Sequence, residues 1–337
     1  MSRIAIVGSG SWGTALALSL ARRGDHSIAL WSHSPAVAKS IRDQGENVTY
    51  LPGFPLPPQV DSTQDLASAV GGAEIVISAI PSQHVRATYR SMAPLLQPGQ
   101  LIVSATKGIE DQSFLRMTQV MEQVLAEQNL NADVSCGALS GPSFAQEVAS
   151  GAPTAITLAF ADSRLASRLQ EELSAPALRL YTNDDVIGVE LGGALKNVIA
   201  LAAGVAAGLG LGHNSAAAII TRGVAEITRL AVACGGRRET LAGLSGLGDL
   251  VLTCTGPLSR NRSVGFELGR GHKLPAILAQ LQGKVAEGVR TTSAALGLAK
   301  AHGVEMPITE QMAAILEHGK SPQDAIRELM ARPGRDE

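Results

Sequence analysis

Short apolar runs alternate with helical stretches through the first half of the chain, and then the runs stop. Six of them read as strands: Ile4–Val7, Ile28–Trp31, Glu74–Ala79, Leu101–Ser104, Val134–Leu139 and Ala155–Ala159. Each is nearly continuous in its apolar character rather than alternating, which fits burial on both faces of a mostly parallel sheet covered by helices. From Asp184 onward the periodicity is helical, broken by glycine-rich turns, with no convincing strand. The pattern predicts an α/β domain over residues 1–185 and an all-helical domain over residues 186–337. Four prolines between Tyr50 and Pro58 exclude helix interior and central strand, so a rigid surface loop is expected there. Residues 191–212 approach membrane hydropathy, but they hold Lys196 and Asn197. The apolar run from Val198 to Leu211 is also shorter than the ~18 residues of a span, so a buried core helix is expected.

The first strand runs straight into GSGSWG, where Gly8, Gly10 and Gly13 keep the G-x-G-x-x-G spacing. In that pattern the first glycine permits a tight turn, the second lets a diphosphate reach the backbone, and the third lets the helix pack on the strand. Strand, turn and helix in this order predict a Rossmann-type dinucleotide-binding domain. Ligands of such sheets bind outside the carboxyl ends of the strands, and small, polar and cationic residues follow the other strands. They are Ser32-His33-Ser34, Pro81-Ser82, Thr106-Lys107-Gly108 and Ser140-Gly141-Pro142-Ser143. Twenty residues past Gly13, where an acid usually holds the ribose of NAD, stands His33. No carboxylate is there to repel a 2'-phosphate, so NADPH is tolerated as well as NADH; a solvated loop histidine is the alternative. Lys107 reads as an anion or carbonyl contact or as a solvated lysine, and Ser143 as a ligand contact or a helix cap.

Composition narrows the ligand. Lysine and arginine number 28 against 30 acidic residues, which gives no electrostatic case for nucleic acid or an anionic membrane and leaves a small molecule. Charged residues make up 17% of the chain against a usual quarter, while alanine and glycine abound, a composition suited to close backbone packing. Cys136, Cys234 and Cys254 match no metal or redox spacing and are expected as buried, reduced thiols. The N-terminus reaches Gly8 too soon for a signal-peptide core, which predicts a cytoplasmic protein.

In the second half, GVELGGALKNVIALAAGVAAGLG carries Lys196 as its one basic residue on an otherwise apolar helix. Burying an ammonium costs several kcal/mol unless it is paired or loses its proton, so a buried Lys196 could trade protons near neutrality. A snorkelling lysine is the alternative. Asn197 beside it reads as a ligand-side amide or a satisfied core group. Further on, Asp249 follows three glycines and could orient the lysine, and Ser259-Arg260-Asn261-Arg262 is suited to phosphate unless it is a solvated loop. Together these residues specify hydride delivery to a carbonyl, a lysine as proton donor and a phosphate grip, hence a small phosphorylated ketone as substrate.

GSGSWGTALA, SATKGI, SGPSFAQEV, GGALKNVIA, GLGDLVLTCTGPLSRNR, VAEGVRT and VEMPITE, in this order across nearly the whole chain, resemble bacterial NAD(P)-dependent glycerol-3-phosphate dehydrogenases. The resemblance implies reduction of dihydroxyacetone phosphate to sn-glycerol 3-phosphate for glycerophospholipid synthesis, by a cytoplasmic homodimer. It makes Lys196 the catalytic proton donor and acceptor. It places Lys107, Gly141, Ser143, Asp249, Ser259, Arg260 and Asn261 at the substrate, and Ser11, Trp12, His33, Lys107, Ala145, Arg260, Val285 and Glu287 at the cofactor. Ala286 stands where a second valine is frequent, and Trp12 where tyrosine or phenylalanine also occur. Two rival readings remain: a hydroxyacid dehydrogenase acting on carboxylates, and a nicotinamide sensor that consumes no cofactor.

Overall fold

A computed structural model describes residues 2–130, 133–281 and 285–334. By its contacts the chain forms two compact units, one of Met1–Lys107 with Leu115–Glu190 and one of Gly108–Phe114 with Leu191–Glu337.

Unit one is built on β1 (Ser2–Val7), β2 (His26–Trp31), β3 (Val60–Thr63), β4 (Ile75–Ser78), β5 (Leu101–Ser104), β6 (Ser135–Ser140), β7 (Thr154–Ala159) and β8 (Leu178–Asn183). They form one sheet in the order β3-β2-β1-β4-β5-β6-β7-β8. Every neighbouring pair is parallel except β6 and β7. The helices of this unit are α1 (Ser11–Ala21), α2 (Pro35–Gln44), α3 (Leu66–Val70), α4 (Val85–Met92), α5 (Met117–Glu127), α6 (Ala145–Ser150) and α7 (Ser163–Leu173). Alternate residues of the strands feed two cores. Ile4, Ile6, Ile28, Leu30, Ile75 and Ile77 join α1 and α7 on one face, and Ala5, Val7, Val76 and Ile102 join α4 and α5 on the other.

Two strands go beyond the six expected, and both are sheet edges. VDST in β3 and LRLYTN in β8 each bury only two side chains, so neither carries the apolar run of a strand flanked on both sides. Arg22 and Arg23, just after α1, cap other helices of this unit. Arg22 donates to the carbonyls of Val148 and Ala149 at the end of α6, and Arg23 to those of Glu171 and Ser174 at the end of α7. Cations suit these positions because carbonyls at a helix C-terminus lack partners and carry partial negative charge.

The chain continues through α8 (Val186–Gly208), α9 (His213–Ala233), α10 (Arg238–Leu241), α11 (Asp249–Thr255), α12 (Arg260–Gly269), α13 (Leu274–Gln280), α14 (Glu287–Ala301), α15 (Pro307–His318) and α16 (Pro322–Met330). No strand occurs after Asn183 among the described residues. Helix α8 has the length and the mean hydropathy, 1.6, of a membrane span, yet 89% of that window is buried inside the protein. The segment Gly108–Phe114 belongs to unit two because the Phe114 ring lies against Gly297 of α14, where a Cβ would come within 2.2 Å of it.

Glycine sets how α8 packs on α12. A Cβ on Gly204 would lie 2.1 Å from the Arg262 carbonyl oxygen, and one on Gly208 would lie 2.1 Å from that of Phe266. From the other side, Gly265 would strike the Leu201 carbonyl at 2.0 Å and Gly269 the Val205 carbonyl at 2.3 Å. The pairs Leu201/Gly265 and Val205/Gly269 share the 64-residue separation of the hydrogen-bonded Asn197/Asn261 pair, so the two helices run side by side in the same direction.

Glu226 of α9 is buried and caps α15, accepting from the Ile308 and Thr309 amides at 2.6 and 3.3 Å and from the Thr309 hydroxyl at 3.3 Å. Burial pushes its carboxyl up to about 7, with those hydrogen bonds acting in the opposite sense. A carboxyl raised in the folded state binds its proton more tightly there than when unfolded. Its contribution is therefore greatest below about pH 4.5 and declines as pH rises towards 7. Thermal unfolding between pH 5 and 7 is expected to show Tm falling with rising pH in the wild type. The slope from this group, at most ~1.4 kcal/mol per pH unit, should vanish in Glu226→Gln.

Of the three cysteines only Cys254 is buried; Cys136 and Cys234 are half-buried, because β6 and the end of α9 leave their outer sides open. Burial pushes the Cys254 thiol up to about 12, which leaves it unreactive. Among the described residues no group of three His, Cys, Asp or Glu side chains could hold a metal.

Candidate active site

In unit one the strand order turns back at β1, which lies between β2 and β4, and the glycine turn follows β1 at this point. Three separate demands act on its three glycines. Gly8 has φ +119°, which disfavours a side chain, and its Cβ would sit 2.6 Å from the Ala79 carbonyl oxygen. Gly13 would place a Cβ 1.9 Å from the Gly8 carbonyl oxygen, so α1 can start against the strand only here. A Cβ on Gly10 would meet nothing within 4 Å, so packing does not require this glycine. It is the N-cap of α1, no side chain caps it, and the first turn carries no acid. An uncapped helix start behind open space fits the diphosphate of a dinucleotide. Ser11 donates its hydroxyl to the Tyr50 carbonyl at 2.7 Å. Trp12, half-buried, packs on both cores that α1 helps to form.

At the end of β2, Ser9 donates to Ser32 at 2.7 Å and Ser32 to the Ser34 carbonyl at 3.1 Å, while Ser34 caps α2. His33 is exposed, its ring 6.0 Å from that of Trp31. Along the rim, Lys107 donates to the Gly141 carbonyl at 3.0 Å and Ser143 donates to the same oxygen at 2.9 Å. Gly141 has φ +146° and would press a Cβ to 2.9 Å from Ile156, so the turn after β6 needs glycine. Ala145 opens α6 just beyond. Lys107, Gly141 and Ser143 thus form one cluster.

In unit two Lys196 is 7% exposed and does not snorkel. Its ammonium donates to Asp249 at 2.5 Å and to the Thr253 hydroxyl at 2.7 Å. Thr253 in turn donates to the Asp249 carbonyl at 2.6 Å, one turn back along α11. Pairing with a fully buried carboxylate offsets the cost of burying the ammonium and holds its nitrogen in place. Of the glycines before Asp249, Gly246 is required by packing. Ser245 comes so close to α8 that a Cβ on Gly192 would lie 2.6 Å from its carbonyl oxygen, and Gly246 lies against the Leu241 backbone. That approach carries Asp249 to Lys196.

The start of α12 is the second polar centre of unit two. Ser259 is buried and caps the helix by accepting from the Arg262 amide at 3.2 Å. Arg260 is exposed by area, yet enough protein surrounds its head that burial disfavours the charge, the Glu287 carboxylate acting the other way. The Asn261 side chain is used within the protein, donating to Asn197 at 2.9 Å and accepting from the Gly288 amide at 3.0 Å. Val285 and Glu287 are half-buried and lead into α14.

Thr253 is the residue that sequence reasoning missed in the lysine cluster. Its signal was there, since it stands four places after Asp249 on one helix and so on the same face.

Residues 3–166 match the family profile described as NAD-dependent glycerol-3-phosphate dehydrogenase N-terminus, and residues 185–327 match its C-terminus counterpart. The chain is 63% identical over 340 residues to a glycerol-3-phosphate dehydrogenase [NAD(P)+] of Acidobacterium capsulatum, with both chains covered in full. It is 59% identical to the protein of the same name in Koribacter versatilis, covering 100% of this chain and 99% of that one. A crystal structure of the glycerol-3-phosphate dehydrogenase of Coxiella burnetii superposes with a TM-score of 0.92 at 41% identity, over 98% of this chain and 99% of that one. The chain belongs to the NAD(P)-dependent glycerol-3-phosphate dehydrogenase family.

Proposed function

We propose that this enzyme reduces dihydroxyacetone phosphate to sn-glycerol 3-phosphate with NADPH or NADH, reversibly, and so supplies glycerophospholipid synthesis in the cytoplasm. The observation that carries the reading is the buried Lys196–Asp249–Thr253 cluster, a held ammonium in a chain of this family. A reduced nicotinamide, when bound, would supply a hydride to the carbonyl carbon. Lys196 gives its proton to the carbonyl oxygen, so that carbon and oxygen together gain the two hydrogens of the alcohol, and takes it back in the reverse direction. Asp249 and Thr253 hold the Lys196 nitrogen in place. Lys107, with Gly141 and Ser143, meets the polar end of the substrate.

Gly8, Gly10, Ser11, Trp12 and Gly13 form the diphosphate cradle, His33 lies at the ribose end, and Ala145, Val285 and Glu287 complete the cofactor contacts. Ser259, Arg260 and Asn261 grip the substrate phosphate, Asn261 through its backbone amide at the start of α12, since its side chain is already engaged. Arg260 also touches the cofactor.

The test follows loss of reduced nicotinamide with dihydroxyacetone phosphate, using NADPH and NADH in parallel, and with three-carbon keto acids as competitors. Turnover of the phosphorylated ketone alone is expected; turnover of the keto acids alone would assign the chain to carboxylate chemistry. Arg260→Ala is expected to raise KM for dihydroxyacetone phosphate by roughly 10–100-fold, the worth of one charge-assisted hydrogen bond. At saturating NADPH it should change the rate with unphosphorylated dihydroxyacetone little, which separates the phosphate grip from the reaction. Family likeness also supports a homodimer, for which light scattering should give twice the mass of one chain.

A further inference from the structure

The glycine turn is held from outside by a residue that none of the motifs includes. Asn47 follows α2 at the start of the proline-rich loop and is fully buried. Its side-chain nitrogen donates to the Ser9 carbonyl at 2.8 Å and to the Thr14 hydroxyl at 2.8 Å, and its oxygen accepts from the Tyr50 amide at 3.1 Å. The Tyr50 amide can only donate, so it sets which way the Asn47 amide faces and directs the nitrogen at the turn.

We propose that Asn47 is a positioning residue of the cofactor site. It orients the Ser9–Gly10 peptide so that the Gly10 amide and the first amides of α1 face a diphosphate. The inference rests on the reading of Gly8–Gly13 as the diphosphate cradle. In a trans peptide the carbonyl and the following N–H point to opposite sides, so holding the Ser9 oxygen fixes the Gly10 N–H on the far side. Gly10 can supply no constraint of its own, because glycine has the widest choice of backbone angles. The same loop takes hold a second time where Tyr50 accepts the Ser11 hydroxyl. It is anchored by Leu51, fully buried against Ala15, Leu18 and Val148. Thr14 completes the arrangement by donating to the Ser9 oxygen at 3.4 Å. Two consecutive elements of the cradle, one peptide and one side chain, therefore depend on a loop some forty residues away in sequence.

The test compares four variants by NADPH binding, by binding of ADP-ribose and 2'-AMP, by steady-state kinetics and by Tm. Asn47→Ala removes the donors without adding charge, and Asn47→Asp keeps the acceptor for Tyr50. Both are expected to weaken NADPH and ADP-ribose at least tenfold, with 2'-AMP, which lacks the diphosphate, within twofold. At saturating NADPH kcat should stay within threefold. Met121→Ala opens the core on the other face of the sheet, away from this loop, and is expected to lower Tm as much while leaving the NADPH Kd within twofold. Gly10→Asp fills the open space before the cradle and should abolish binding. If both Asn47 variants bind NADPH within twofold of wild type while Gly10→Asp does not bind, the role of Asn47 is overturned and the cradle stands. If Gly10→Asp binds normally, the cradle itself is overturned. A Met121→Ala variant that loses NADPH as the Asn47 variants do would reduce Asn47 to a structural part.

Discussion

Lys196→Ala is expected to lower kcat by roughly a hundred- to ten-thousand-fold while the Kd for NADPH stays near that of wild type. The rate loss is the usual worth of a positioned acid. Binding persists because Lys196 is not among the residues proposed to hold the cofactor, of which the glycine turn lies in unit one. The substitution has a second effect that must be separated from the first. It leaves the Asp249 carboxylate buried without its ammonium, which costs about 3–5 kcal/mol. Lys196→Ala/Asp249→Asn should therefore be as inactive as the single variant but more stable, and stopped-flow hydride transfer with thermal unfolding reads the two effects apart. Small primary amines added to Lys196→Ala fit the space left by the side chain and should restore part of the rate. A single variant that keeps most of its activity would remove Lys196 from the role of proton donor.

The second large effect is structural. Gly265→Ala should destabilise unit two by about 3 kcal/mol, at the upper end of what overpacking costs, even though alanine is the better helix former. The new Cβ would stand 2.0 Å from the Leu201 carbonyl oxygen, and neither backbone can yield without separating α8 from α12. Tm should fall by roughly 5–10 °C. Gly212→Ala is the control, since a Cβ there meets nothing within 4 Å, and it should leave Tm nearly unchanged. Because the seam also sets Asn197 against Asn261, whatever Gly265→Ala protein remains folded should show a raised KM for the phosphorylated substrate.

The interior strands were legible because a strand with neighbours on both edges and helices on both faces has no room for polar residues. β3 and β8 were not, since as edges they keep charged and hydroxyl side chains. The reversal of β7 against β6 has no local signature at all, being a matter of how the connection through α6 returns the chain. At the site, Lys196 stood out as the one basic residue in an apolar stretch, and of the glycines before Asp249, Gly246 admits the neighbouring Leu241 backbone. Asn47 carried no signal, because an asparagine before a proline-rich loop looks like any turn residue; only the tertiary path reveals what its amide holds.

The seam between α8 and α12 also limits how this enzyme can be hardened against heat. Exchanging helix glycines for alanine stiffens many proteins by restricting the denatured chain, and each such exchange is worth ~1 kcal/mol where space allows. At Gly204, Gly208, Gly265 and Gly269 that route is closed. The denatured polypeptide keeps four loose joints as a standing entropic burden, and engineering for endurance has to begin in the loops.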